Sequence, residues 1–351
     1  MPREPDIAAV DLFCGAGGLT HGLELAGIKV NLGVDIDPAC EHPFKVNNCA
    51  QFLRADVNTL APSTVAAELN KSAISLLAGC APCQPFSTYS RASKKSKRDA
   101  SLPDGDDWQL VERFGDLITE LKPDLVTMEN VPPLVDQPVF RTLLEQLSGY
   151  NVDFAVIDCP RIGLPQRRKR LVLVASRLGP INLPDFNAPQ TNVRDTIGDL
   201  PSLLAGEVDP HDRLHRASRL SDLNMRRIKA SKPGGTWRDW PIDLRAECHQ
   251  KDTGATYPSV YGRMDWDEPS PTITTQCFGY GNGRFGHPEQ HRAITLREAA
   301  MLQGFPREYE FLPATEPVSF ARLGKLIGNA VPVKLGEVIG KLMKEHVRNF
   351  H

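Results

Sequence analysis

The chain reads as an α/β protein: a doubly wound, mostly parallel sheet joined to a second, smaller and irregular domain. Three observations predict this. In the first half, short apolar runs alternate with amphipathic stretches, the pattern of strand–helix units stacking into a parallel sheet. A glycine-rich turn stands between the first of those strands and the stretch that follows it. After about Ser176 the texture changes to frequent Pro, Gly, Trp and polar residues with weak periodicity, and it stays so to about Gln290.

Taken in order, strands are expected at 7–13 (IAAVDLF), 30–35 (VNLGVD), 74–80 (ISLLAGC), 124–130 (DLVTMEN), 152–158 (VDFAVID) and 170–176 (RLVLVAS), with another short one ending near Asp56. Helices fall between them. The clearest is 107–122, where Leu110, Phe114, Leu117, Ile118 and Leu121 recur at helical spacing and Pro123 ends the pattern. Helical pattern returns at 295–305 and again from 320 to 347, and these last helices are expected to rejoin the first domain. The expected division is therefore 1–179 plus 322–351 for a catalytic and cofactor-binding domain, and 180–321 for a second domain with its hinge.

Composition narrows the function. With 351 residues, 41% hydrophobic and 24% charged, the chain has ample material for a core. No apolar run approaches the roughly 20 residues that a membrane span needs. The N-terminal stretch has no secretory pattern, and a cytoplasmic, nucleoid-associated location is expected. Eight scattered cysteines predict reduced thiols rather than a disulfide scaffold. The net charge of −2 argues against a uniformly basic nucleic-acid binder, but a local positive face suffices for binding. Residues 91–98 (RASKKSKR) and 166–171 (QRRKRL) are such basic clusters, balanced by 104–107 (DGDD).

Four segments carry chemistry. In 11–22 (DLFCGAGGLTHG), Gly15, Gly17 and Gly18 crowd a strand-to-helix turn, where missing side chains let backbone amides approach a ligand. Asp35 follows at the end of the next strand, where such folds hold ribose hydroxyls, and Asp56 stands near by. A nucleoside-containing cofactor without a pyrophosphate fits this spacing; a turn needed only for packing is the plainer alternative. In 79–91 (GCAPCQPFSTYSR), Cys83 lies beyond the carboxyl end of a strand with Arg91 and further cations following, a setting for a nucleophilic thiolate. Cys80 and Cys83 also form C-x-x-C, which keeps a redox pair or half a zinc site open. In 128–131 (MENV), Glu129 and Asn130 end another strand of the sheet, where a carboxyl can trade protons or simply bind backbone amides. In 166–170 (QRRKR), Arg168 and Arg170 alternate into a strand; plain surface basicity is the rival reading.

In this order, the segments resemble the DNA (cytosine-5) methyltransferases along nearly the whole chain. The matches are DLFCGAGG, PCQPFS, ENV, Gln166-x-Arg168-x-Arg170, residues 292–306 (RAITLREAAMLQGFP) and GNAVP at 328–332. The stretch from about 180 to 290 corresponds to the family's variable target-recognition domain. The resemblance implies a Rossmann-like fold of S-adenosylmethionine-dependent type, with S-adenosyl-L-methionine as methyl donor and S-adenosyl-L-homocysteine as product. It implies that Cys83 adds to carbon 6 of cytosine, that Glu129, beside Asn130, contacts ring nitrogen 3 and the exocyclic amine, and that Arg168, with Arg170 near it, binds the ring carbonyl. Phe13 would pack on adenine, Gly15 to Gly18 would line the methionine part, Asp35 would hold the ribose, and Asp56 would accept from the adenine amine. Val57, Pro82 and Asn329 would complete the cofactor site. Ile36 departs from the family, in which an aromatic often stacks on adenine at this place.

The partner implied is double-stranded DNA, met by Gln84, Ser87 and Arg91 in a closing loop from Ser87 to about Asp107. In the second domain, Arg226, Arg227, Lys229, Lys232, Arg238, Arg263 and Thr274 are the candidate contacts. The enzyme would be bacterial in type, a monomer on DNA, either solitary or paired with a restriction endonuclease cutting the same site. No metal is expected, since the histidines and cysteines of the second domain lack finger spacing. Two alternatives stay open: a transfer-RNA methylating branch of the family, and a non-catalytic DNA-binding paralogue. The roughly 110 residues between Ser176 and Gln290 favour DNA over RNA, and the intact Cys83, Glu129, Arg168 and glycine turn favour catalysis.

Overall fold

The computed structural model describes residues 6–82, 108–251 and 258–350. In chain order these form β1 (Ile7–Leu12), α1 (Gly18–Leu25), β2 (Lys29–Asp35), α2 (Glu41–Asn47), β3 (Gln51–Arg54), α3 (Pro62–Leu69), β4 (Ile74–Gly79), α4 (Gln109–Leu121), β5 (Leu125–Asn130), α5 (Pro138–Gln146), β6 (Asn151–Asp158), β7 (Gln166–Arg167), β8 (Lys169–Ser176), α6 (Val193–Ile197), α7 (Asp222–Ala230), β9 (Ser270–Pro271), α8 (Leu296–Leu302), α9 (Phe320–Asn329) and α10 (Val333–Phe350). They fall into two compact units. The first takes Met1–Asp158, Lys169–Phe186 and Val333–His351; the second takes Cys159–Arg168 and Asn187–Pro332.

The first unit is built on a seven-stranded sheet in the order β3-β2-β1-β4-β5-β8-β6. Strands β3 to β5 run parallel, and β8 runs antiparallel to both β5 and β6. Every residue of β1 and of β5 is buried, as covered parallel strands require, and this is why they read as near-continuous apolar runs. The chain winds from β1 out to β3, then returns to place β4 on the other side of β1. That reversal opens a crevice outside the carboxyl ends of β1 and β4, the usual ligand position in such sheets.

Helix α4 buries Val111, Phe114, Leu117 and Ile118, and ends at Lys122 in a left-handed conformation before Pro123. Helix α10 packs along α1 through glycines. A methyl group on Gly22 would lie 2.3 Å from the Val333 carbonyl oxygen and 2.7 Å from Gly336 Cα, so only hydrogen permits this approach.

The second unit has little regular structure. Strands β7 and β9 pair over two residues, and a core of Ile228, Trp237, Trp240, Leu244, Tyr280 and Ala293 sits among short helical turns. Helix α8 begins with a reciprocal cap: Thr295 accepts from the Glu298 N–H and Glu298 accepts from the Thr295 N–H.

The units part elsewhere than at 179 and 322. Residues 159–168 leave the sheet because β7 pairs with β9 rather than continuing into β8. The helical stretch from 320 breaks at Pro332, which leaves α9 in the second unit and only α10 in the first. Among the described residues no helix is long and apolar enough to cross a membrane.

Candidate active site

The glycine turn follows β1 directly. Phe13, Gly15 and Gly17 all take positive φ (60°, 54° and 91°), which turns the chain into α1 within five residues of Leu12. The turn is pinned by Cys14 N–H on the Val34 carbonyl (3.1 Å) and Gly17 N–H on the Cys14 carbonyl (2.9 Å). Asp35, ending β2, accepts from Gly15 N–H at 2.9 Å through Oδ2 and from Asp37 N–H at 2.8 Å through Oδ1. Each oxygen keeps a lone pair for a further donor. Among the described residues, a methyl group built on Gly15 would meet nothing within 4 Å. Ile36 is 63% exposed beside it. Asp56 is half-buried, with Oδ1 accepting from Asn58 N–H at 2.9 Å, and Val57 next to it is buried. Phe13, the glycine turn, Asp35 and Asp56 thus stand at the ends of three adjacent strands.

Beneath the turn lies Asp11, fully buried on β1. Its Oδ2 accepts from the Thr20 hydroxyl at 2.7 Å, while Oδ1 has no hydrogen-bond partner among the described residues. Burial pushes this carboxyl up to about 7, against the opposing Thr20 hydrogen bond and with help from the charge of Asp35.

Sheet register assembles the second half of the site. Gly79 pairs with Met128, so Cys80, one residue beyond β4, comes abreast of Glu129. Glu129 pairs with Val172 on the antiparallel β8, which places Arg170 diagonally across from it on the same face. The result is a carboxyl 3% exposed, with a hydrogen bond on one oxygen and an ion pair at the other. Cys80 Sγ donates to Oε2 at 2.8 Å, and Arg170 Nε stands 2.7 Å from Oε1 as an ion pair whose angle leaves Oε1 short of a hydrogen bond. Burial, and then the charge of Glu129, push the Cys80 thiol well above the ordinary thiol range. Asn130 ties the exit of β4 to β5: its Nδ2 donates to the Ala81 carbonyl at 3.0 Å, and its Oδ1 accepts from Val131 N–H at 2.8 Å. Pro82, exposed, follows. Cys83, Gln84, Ser87, Arg91 and the loop expected to Asp107 lie outside the described residues.

Arg168 is placed otherwise than expected. It belongs to the second unit, where Nη1 donates to the Ile273 carbonyl at 3.2 Å and Nη2 approaches those of Gly328 and Ala330 at 3.4 Å. The guanidinium beside Glu129 is that of Arg170. Next to Arg168, Gln166 forms a buried hub. Its Nε2 donates to the Leu302 carbonyl (3.0 Å) and Gln303 Oε1 (2.7 Å), its Oε1 accepts from Ile273 N–H (2.9 Å), and Gln303 donates on to the Ala330 carbonyl (2.6 Å). Asn329 is exposed at the end of α9, and Thr274 is half-buried.

Two of the arginines expected on DNA are structural. Arg263 is 2% exposed and donates to the carbonyls of Ile228, His287 and Gln290. Arg227, also buried, donates to the Leu244 carbonyl at 2.9 Å, and its guanidinium lies 5.4 Å from the Trp240 ring and 5.1 Å from the Tyr261 ring. Their donors are committed inside the unit, so both leave the DNA-contact set. Arg226 and Arg238 are exposed; Arg226 pairs with Asp243 at 3.0 Å, and Arg238 lies over Trp237.

Sequence reasoning passed over Asp11, Gln303 and the fully buried Arg292–Glu298 pair, in which both guanidinium–carboxylate contacts measure 2.7 Å. Burial would raise Glu298, but the charge and hydrogen bonds of Arg292 outweigh it and pull the carboxyl down to about 2. The T-x-x-E spacing at 295–298 announced the helix start but not the arginine that answers it.

Comparison with known proteins agrees with this geometry. The family profile for C-5 cytosine-specific DNA methylases matches residues 7–345. The chain is 47% identical over 352 aligned residues to the Type II methylase M.HgiDII of Herpetosiphon aurantiacus, covering 98% of this chain and 97% of that one. To DNA (cytosine-5)-methyltransferase 2 of Arabidopsis thaliana it is 29% identical over 98% of its own length, spanning 29% of that longer protein. A solved prophage-encoded protein of E. coli, described as a DNA modification methyltransferase, shares the fold with a TM-score of 0.72 at 21% identity, over 98% of this chain and 100% of that one. The seven-stranded sheet is Rossmann-like, and the chain is an enzyme belonging to the C-5 cytosine-specific DNA methylase family.

Proposed function

We propose that the enzyme transfers a methyl group from S-adenosylmethionine to carbon 5 of a cytosine flipped out of a short, specific double-stranded DNA site, through a transient adduct at Cys83. The observation that carries this reading is the Glu129 carboxyl, buried at the carboxyl edge of the sheet between Cys80 and Arg170. One strand, β4, separates β5, which carries it, from β1, which leads into the glycine turn. A buried carboxyl so held is built to meet one ring in one orientation.

The residues present fit the donor. The open side of Gly15 admits an extended chain against backbone amides, Asp35 has lone pairs left for ribose hydroxyls, and the exposed Ile36 offers adenine an apolar face in place of an aromatic one. Phe13, Asp56, Val57 and Pro82 would border the base, and the match of the GNAVP segment would add Asn329. When bound, S-adenosylmethionine supplies an electrophilic methyl group and leaves as S-adenosylhomocysteine.

The chain's own residues prepare carbon 5, a poor nucleophile in cytosine. The Cys83 thiolate forms a bond to carbon 6, and the electron pair of the 5,6 double bond moves to carbon 5 as charge builds on the ring. Glu129 hydrogen-bonds or protonates the nitrogen 3 edge to accommodate that charge, and Arg170 is the donor for the ring carbonyl. After methylation, loss of the carbon 5 proton to a base restores the double bond and expels Cys83 as thiolate. Flipping the base costs a few kcal/mol. Phosphate contacts from the basic 91–98 segment would offset this cost.

The second unit would read the sequence as the target-recognition domain, with Arg226, Lys229, Lys232, Arg238 and Thr274 as its remaining candidates. The exposed Arg226–Asp243 pair can exchange its carboxylate for a phosphate at little cost. The similarity to a Type II methylase supports a role in modification; the enzyme would act as a monomer in the cytoplasm, protecting a site that a companion endonuclease would cut. Bisulfite sequencing of unmethylated genomic DNA after incubation with the enzyme and donor tests the reading. Conversion-resistant cytosines confined to one short motif support it; unmodified DNA beside methylated transfer RNA overturns it.

A further inference from the structure

We infer that Cys80 is a positioning residue for Glu129: its thiol holds Oε2 while Arg170 holds Oε1, and together they fix the plane of the carboxyl. The inference rests on the reading of Glu129 as the group that meets the cytosine ring. A single contact at Oε1 would leave the carboxyl free about its last torsion, which is broad for a bond between tetrahedral and planar carbon. A second contact on the other oxygen removes that freedom. Register supplies it: Gly79 opposite Met128 brings residue 80 abreast of residue 129, and a thiol there reaches Oε2 at 2.8 Å.

The thiol suits a donor and not a second nucleophile. Burial and the charge of Glu129 keep it protonated across the neutral range, so it presents S–H to the carboxylate and holds almost no thiolate of its own. Two cysteines three positions apart thus have opposite tasks. Cys83 acts as an anion, whereas Cys80 acts only while neutral. The Asn130 bond to the Ala81 carbonyl holds the backbone that carries Cys80, so the same two strand ends set both the thiol and the acid.

The test compares wild type, Cys80→Ala and Cys80→Ser by two rates: single-turnover methylation, and exchange of the cytosine carbon 5 hydrogen with solvent in the absence of methyl donor. The exchange reads ring activation alone. Cys80→Ala is expected to lower both rates by roughly 10- to 100-fold, the range for a hydrogen bond to a charged group, with KM for DNA and melting temperature unchanged. Cys80→Ser keeps a donor and is expected to return both to within about threefold of wild type. An active wild type with Cys80→Ala equally fast, or with Cys80→Ser as slow as Cys80→Ala, overturns the inference alone. A wild type that neither exchanges nor methylates cytosine overturns the reading of Glu129 and this inference with it.

Discussion

Arg170 Nε lies 2.7 Å from Glu129 Oε1 across the antiparallel junction of β5 and β8, with the carboxylate 4% and the guanidinium 14% exposed. Arg168, two residues earlier, donates to backbone carbonyls of the second unit. The two arginines therefore answer to different measurements. Arg170→Lys keeps the charge but loses the planar fork, and should lower single-turnover methylation by roughly 10²- to 10³-fold with little change in melting temperature. Arg168→Lys should instead cost about 1–3 kcal/mol of stability, because buried carbonyls lose their donors. Thermal melts and rates recorded side by side decide the matter, and the reverse pattern would contradict the assignment.

Glu298 makes the second unit sensitive to acid. Its carboxyl is depressed from 4.5 to about 2, so its contribution is fully present above pH 4.5 and fades as pH falls toward 2. Arg292→Leu leaves a buried carboxylate without its guanidinium partner and should destabilise the protein by about 3–5 kcal/mol at pH 7. The deficit should shrink as pH falls through that window, as read by urea unfolding at several pH values.

Asp11 works in the opposite sense. Its folded-state pKa is raised from 3.8 to about 7, so the folded chain holds a proton that the unfolded chain releases. Wild type should lose stability from this group as pH rises from 4 to 7, by up to about 4 kcal/mol. Asp11→Asn, which cannot ionise, should escape that loss. Denaturant midpoints at pH 5 and pH 8 for both proteins give the comparison, and equal pH dependence would show that Asp11 is ionised throughout.

Close helix packing yields a simpler expectation. Gly22→Ala would press a methyl group against the Val333 carbonyl and the α10 backbone, and overpacking of this kind costs about 1–3 kcal/mol. A drop in melting temperature is expected. An unchanged value would mean that α1 and α10 separate at no cost.

Much of this was legible in the sequence, for identifiable reasons. Buried parallel strands cannot avoid continuous apolar runs, so β1, β4 and β5 announced themselves, and with them the positions of the glycine turn and Glu129 at their ends. What stayed hidden depended on tertiary pairing. Arg168 and Arg170 read as alternating into one strand, with Arg168 matched to the ring carbonyl, yet the pairing of β7 with β9 divides the two arginines between units. Arg227 and Arg263 read as surface cations because nothing local marks an arginine whose donors are all answered by distant carbonyls and rings. Cys80 read as half of a C-x-x-C, since only the register of β4 against β5 shows that it faces the acid.

The most direct test of the central claim is transfer of labelled methyl from S-adenosylmethionine to unmethylated DNA by the wild-type enzyme and by Cys83→Ser in parallel. The account predicts label in carbon 5 of cytosine with the wild type and none above background with the variant, both proteins melting at the same temperature. Label deposited equally by both, or on another atom of the DNA, would contradict it.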